Sequence, residues 1–272
     1  MAQIDLKEAT IKFFDGTLGT LTSDSTPSDS DLVWSNKTRH VGSDKISITI
    51  VDPGSATQSL SITVAGRDIT VDLATDTMSA ITSTATLVKA AIDADSGASA
   101  LVTVALETAG TGVVEAQTKA TLDGQKVLNV KIGEGNATHS EKRPVEFTRD
   151  RGILDTVREA DEEPMDLSLD FLWEFYTGVS GSSTPTPIDF IKKIGEASAF
   201  ISTADDQCQP HCVDVEIHNA PDCTGIEDEI IIFEEFYYEN IDGDLREGTF
   251  SCSGRCNRKV PSARRVLAAA IP

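Results

Sequence analysis

"EKRPVEFTRDRGILDTVREADEEPMDLSLDFLWEF", residues 141–175, begins and ends in runs where polar and apolar residues alternate one by one. That period of two belongs to half-buried strands, whose successive side chains point to opposite faces. In the first run Glu146, Thr148 and Asp150 share one face, and Val145 and Phe147 share the other. In the second, Asp166, Ser168 and Asp170 oppose Leu167, Leu169, Phe171 and Trp173. The pattern predicts two adjacent strands, each with an acidic and an apolar face. Between them "GILDTVREADEEP" (152–164) reads as a long hairpin connection carrying both signs of charge. Taken alone, the polar faces are the solvated side of a one-sided antiparallel sheet, and the connection is a solvated loop.

Outward from this stretch the same texture continues. "KVLNVKIGEG" (126–135), "CVDVEIH" (212–218), "EIIIFEEFYYEN" (229–240) and "GTFSCSGRC" (248–256) are strand-like, separated by turn signals such as "GEGN" and "IDGD". One helix interrupts them. "TPTPIDFIKKIGEASAF" (184–200) has Thr and Pro before its first turn, Asp189 near it, and Phe190, Ile191 and Ile194 as an apolar stripe.

Residues 28–124 differ, being rich in Ala, Thr and Ser and nearly free of aromatics. "KISITIV" (45–51), "SLSITVA" (59–65) and "DITVDLA" (68–74) alternate as strands do. "AITSTATLVKAAIDAD" (80–95) sets Ile81, Ala85, Val88, Ala91 and Ile92 at helical spacing, and "ALVTVAL" (100–106) returns to alternation. The expected fold is therefore mainly β (α+β). A β-sandwich or barrel with one flanking helix, formed by 1–27 and 125–272, carries an inserted small α+β domain, 28–124.

The chain has 272 residues and a formal net charge of −21. The insert has 6 basic and 12 acidic residues and the remainder 17 and 32, so the β core carries −15 against −6. Such a surface repels phosphate backbones, whose affinity for proteins comes from Lys and Arg displacing counterions, and a conventional DNA binder is excluded. Self-association must likewise overcome repulsion through specific contacts. No run reaches the roughly 18 apolar residues of a membrane span. The start "MAQIDLKEAT" lacks a basic and apolar leader, so a soluble protein made in the cytoplasm, without a Sec-type export signal, is expected.

All five cysteines lie beyond residue 207. "CQPHC" (208–212) invites a metal reading, because a turn at Pro210 could gather Cys208, His211 and Cys212. Unbridged thiols are the plainer reading, and a Cys208–Cys223 disulfide is a third. Cys252 and Cys256 lie about 13 Å apart along one strand, too far to share a metal, and follow Phe250 on its apolar face. "DGD" (242–244) lacks the spacing of a calcium loop and reads as a turn, and His218 reads as exposed. No nucleophile elbow, zinc-protease or phosphate-loop motif occurs, so neither an enzyme nor a cofactor is expected.

The order of motifs from Asn129 to Phe175 resembles the tail tube (major tail) proteins of long-tailed bacteriophages. Lys131 to Asn136, Glu141 to Arg143, Arg151 to Glu174, Pro187 to Lys192 and Glu247 to Asn257 occupy the places of that family's strand pair, long hairpin, helix and terminal strand. The resemblance covers 125–272 and the first strand. Roughly one hundred residues intervene where the family passes directly between strands, and Ala160 stands where the family has Gly. The stretch "ISITIVDPGSA" itself resembles a small domain that recurs in phage structural proteins.

The resemblance implies a virion protein whose homohexameric rings stack into a hollow, non-contractile tail tube, with the insert displayed outside. The tube would hold the tape-measure protein, meet terminator and distal tail proteins, and conduct DNA without binding it. On this reading Glu146, Thr148, Asp150, Asp166, Ser168 and Asp170 line an acidic lumen. Leu154, Asp155, Val157, Arg158 and Glu159 form a ring-stacking loop. Arg258, Lys259, Arg264 and Arg265 belong to a C-terminal arm docking on a neighbour. The alternative is a monomeric, adhesin-like two-domain β module with the Thr/Ser-rich insert as its binding part.

Overall fold

The computed structural model describes residues 9–23, 28–43, 45–130, 136–150, 153–172, 185–219, 227–244 and 248–267. It divides into two compact units, Met1–Gly16 with Lys126–Pro272, and Thr17–Gln125. Residues 17–23, which the sequence reading leaves with the β core, belong instead to the second unit.

Along the chain the first unit starts with β1 (Ala9–Phe14). The second then contributes β2 (Thr20–Ser23), β3 (Leu32–Asn36), β4 (Ser47–Val51), β5 (Ser61–Ala65), β6 (Asp68–Asp72), α1 (Ala85–Ala94), α2 (Ser96–Leu101), β7 (Val102–Leu106) and β8 (Gln117–Thr121). The first unit resumes with β9 (Val127–Val130), β10 (Ala137–Ser140), β11 (Val145–Asp150), β12 (Ile153–Glu159) and β13 (Met165–Leu172). After these come α3 (Pro187–Lys192), β14 (Val213–Asn219), β15 (Glu227–Asp244), β16 (Thr249–Cys256) and β17 (Ser262–Leu267).

In the second unit β2-β3-β7 and β5-β6-β4-β8 form two sheets, antiparallel except for the β4–β6 pair. Thr84 caps α1 by accepting from the Leu87 N–H, and Ala85, Val88 and Ile92 bury its stripe. They join Leu32, Trp34, Ile48, Ile50, Ile69, Val71, Leu73 and Val104 in one core.

The first unit is an eight-stranded antiparallel sheet in the order β10-β13-β16-β15-β14-β1-β9, with β17 also on β15. Phe13 of β1 and Phe171 of β13 are four strand positions apart, about 19 Å in a flat sheet, yet their ring centroids are 5.5 Å apart. The sheet therefore rolls over on itself, and its inward residues meet in one core with Phe190 and Ile191 of α3. The eighteen-residue β15 serves both flaps, pairing β14 and β17 through its first part and β16 through the rest.

Its bend has a local cause. The register slips between Val213 and Val215, and Glu235, a non-glycine residue at φ +52°, sits in the bulge. Glu235 is 1% exposed. Its N–H donates to Asp214 Oδ1 (2.9 Å), and its carboxylate accepts from Asn257 Nδ2 (2.8 Å). A second slip falls between Tyr238 and Asn240. Beyond it β15 continues to Asp244, so Asp242, Gly243 and Asp244 are strand rather than the turn their sequence suggests.

The helix is shorter than its apolar pattern. Thr186 and Asp189 form a reciprocal capping box, and Lys193 in the left-handed region ends α3, leaving Ile194 exposed rather than in the stripe. No described helix is long and apolar enough to cross a membrane.

Candidate assembly surfaces

Among the described residues β11 and β12 pair only with each other. The stretch read as a loop is thus largely a strand, and β11 and β13, expected to be adjacent, lie in different sheets. The register slips at Thr148/Arg149, leaving Asp155 unpaired, and this bulge breaks the alternation that would have announced β12.

Up to the slip, cross-strand partners share a face. Glu146 faces Arg158, with Arg158 Nη2 2.6 Å from Glu146 Oε2 and Nε donating to the same oxygen at 2.8 Å. Thr148 and Thr156 form a hydroxyl pair on that side. On the other side Phe147 faces Val157, each 60% exposed, with Val145 opposite Glu159. The ribbon thus has one polar and one apolar face, and the apolar one is uncovered. The side chains of Asp150, Leu154 and Asp155 lie outside the described residues.

At the ribbon's base, residues 141–144, 159–160, 162–163 and the turn at Lys259–Val260 line a hollow of about 380 Å³. Ion pairs ring it: Lys142 to Glu163 (3.6 Å), Arg143 to Glu159 (3.3 Å) and Lys259 to Glu162 (2.6 Å). Val260 adds exposed apolar surface there.

Asp166, Ser168 and Asp170 face away from the core on β13, whose other face is buried through Met165, Leu167, Leu169 and Phe171. The register extends their face into three rows: Ser140, Asp166, Arg255 and Tyr237; Thr138, Ser168, Ser253 and Asn240; Asp170, Ser251 and Asp242. Period-two reading finds the β13 members alone, because the cross-strand companions become visible only with the register. Glu146 and Thr148 are on the ribbon and not on this face.

The basic C-terminal segment pairs within its own chain. β17 runs antiparallel to the start of β15, with Ile232 opposite Ser262 and Glu229 opposite Arg265. Arg258 Nε donates to Glu234 Oε2 (2.9 Å), and its Nη2 lies 3.4 Å from Glu235 Oε1. Lys259, its pKa raised by the hydrogen bond to Glu162, is likewise engaged in cis. Within the single chain, therefore, Arg258 and Lys259 both have carboxylate partners of their own. The side chains of Arg264 and Arg265 lie outside the described residues.

The CQPHC side chains do not come together in one cluster. Cys208 is a free, exposed thiol, and Cys223 lies outside the described residues. Cys212 is buried, its Sγ 3.4 and 3.3 Å from the Ser202 and Thr203 hydroxyls, and burial pushes its pKa up. His211 Nε2 donates to the Phe190 carbonyl (3.1 Å), tying the loop to α3, and burial lowers its pKa. Among the described residues the donor atoms of this loop do not converge within 4.8 Å. His218, expected to be exposed, is half-buried with Nε2 3.1 Å from Asp228 Oδ2.

The chain matches no family model, no curated protein and no solved structure.

Proposed function

We propose that this protein is a structural subunit that assembles with copies of itself into stacked hexameric rings, the tail tube of a long-tailed bacteriophage. The observation that carries the proposal is the β11–β12 ribbon. A two-stranded ribbon is at best marginally stable alone, and this one presents Phe147 and Val157 to solvent. It is also nearly neutral, with three arginines against four carboxylates in 145–159, on a chain of net charge −21. It is therefore where a second copy can approach with little repulsion and bury apolar surface. The ordered motifs from Asn129 to Phe175 supply the family, and with it the lumen, the tape-measure and terminal tail partners, and virion residence.

In this assembly the three-row face of β10, β13, β16 and β15 lines the lumen, and the ribbon makes the contact between rings. The purified protein is expected to show rings or tubes in negative stain. Phe147→Asp should abolish them, leaving a folded monomer with an unchanged circular dichroism spectrum. Native protein that stays monomeric at high concentration, or tubes that survive Phe147→Asp, would overturn the proposal.

A further inference from the structure

The three-row face is acidic, yet two cations stand on it. Asp166 holds both: Lys142 Nζ is 3.0 Å from its Oδ2, and Arg255 Nε is 3.4 Å from its Oδ1. Each cation has one further carboxylate, Glu163 at 3.6 Å for Lys142 and Glu239 at 3.4 Å for Arg255. The hydrogen bond to Asp166 raises the Lys142 pKa, so that ammonium stays charged.

Around this cluster lies a shallow hollow of about 400 Å³ on the outer side of the sheet. Its lining includes the hydroxyls of Thr138, Ser140, Ser168 and Ser253 together with Arg255. A guanidinium and several hydroxyls on a pleated surface, with the Lys142 ammonium beside them on Asp166, are the donor set that phosphate oxygens use. Only the carboxylates oppose such binding, and Asp166 is the one that occupies both cations.

We propose that Asp166 is a masking residue, which keeps a latent phosphate-binding hollow around Arg255 from gripping a passing polyanion. This rests on the lumen reading for its purpose but not for its chemistry. Repulsion alone would be served by an all-acid face. Here Arg255 gives cross-strand attraction that knits β16 to β13, Lys142 ties the segment after β10 to β13, and Asp166 prevents both from exposing affinity for phosphate.

The test uses the full-length protein and a fluorescently labelled short DNA duplex, followed by anisotropy across a salt series. Native protein should bind only weakly even at about 50 mM salt. Asp166→Asn should bind roughly tenfold more tightly at about 50 mM salt, an advantage that mostly disappears by about 200 mM, as expected when about two cations displace counterions. Asp166→Asn with Arg255→Gln should lose the gain, and Asp166→Ser serves if the Asn variant folds poorly. No gain in a folded Asp166 variant, or a gain that survives Arg255→Gln, would overturn the masking role. Ring formation is scored separately by negative stain. Failure to assemble would remove the lumen while leaving the DNA measurement decisive for Asp166.

Discussion

Cys252 and Cys256 alternate with Ser251 and Ser253 on β16 and point into the core, where neither is exposed. Burial pushes both thiols up to about 12, against an ordinary value of 9.0. A raised folded-state pKa on an acid means that the neutral thiol is the form the fold favours. Stability from this source is present below about pH 9 and is lost as the pH climbs from there towards 12, where only the unfolded chain ionises. Each thiol contributes a slope of at most about 1.4 kcal/mol per pH unit in that window. Denaturant midpoints between pH 8 and 11 should fall for the native protein and fall less for Cys252→Ala with Cys256→Ala, once each is referred to its own value at pH 8. Accessibility to reagents separates these buried thiols from Cys208, which is exposed. Mass-spectrometric mapping after brief iodoacetamide treatment should find Cys208 modified and Cys212, Cys252 and Cys256 intact until the protein unfolds. Modification of Cys252 or Cys256 in the folded protein would show that the rolled sheet opens readily.

At the scale of elements, β15 shows what alternation conveys and what it conceals. Its apolar and polar runs are legible as strand, and the start of α3 is legible in Thr186, Pro187 and Asp189, because caps act within one turn. The bulge at Glu235 is not legible, since nothing in "FEEFYY" distinguishes a glutamate in the left-handed region from its neighbour. β12 hides for a related reason, its unpaired Asp155 shifting the period midway. Partners remote in sequence, such as Glu234 for Arg258 or Asp228 for His218, are set by register, which the sequence of one strand does not contain. The bulge makes a specific prediction. Glu235→Ala removes the carboxylate that accepts from Asn257 and faces Arg258, and should cost about 3 kcal/mol by chemical denaturation. Glu235→Gly loses the same contacts but relieves the positive φ, and should cost about 1 kcal/mol less. Equal losses would mean that the left-handed backbone adds no strain at the bend.

For the whole molecule, the junction between units explains how a chain can hold two cores. β1 and β9 are antiparallel neighbours, with Phe14 opposite Val127, so together they are a hairpin whose turn is replaced by residues 17–125. The buried Asp15 closes it. Its N–H donates to the Lys126 carbonyl (3.1 Å), and its carboxylate accepts from the N–H groups of Lys126 (2.7 Å) and Ile201 (3.3 Å). Gly16 follows where a Cβ would stand 2.0 Å from the Ser202 carbonyl oxygen, which no side chain tolerates. Within the second unit the two ends also pair, Thr20 and Asp123 exchanging N–H to carbonyl bonds of 2.9 and 3.3 Å. Each unit thus closes its own backbone and buries its own core, so neither needs the other to satisfy its hydrogen bonds there. Replacing 17–125 by Asn-Gly restores a three-residue hairpin loop after Asp15, a length that antiparallel strands accept. The shortened protein should fold cooperatively, with a thermal midpoint within a few degrees of one of the transitions of the full chain, and form the same rings in negative stain. Residues 17–125 alone should melt cooperatively and give a dispersed amide spectrum. Asp15→Ala should destabilise the shortened protein by about 2 kcal/mol, because the Lys126 and Ile201 amides lose their acceptor at a buried site. A shortened chain that is unfolded while the isolated insert is folded would show that the hairpin depends on the unit that interrupts it, and the cassette view would fail.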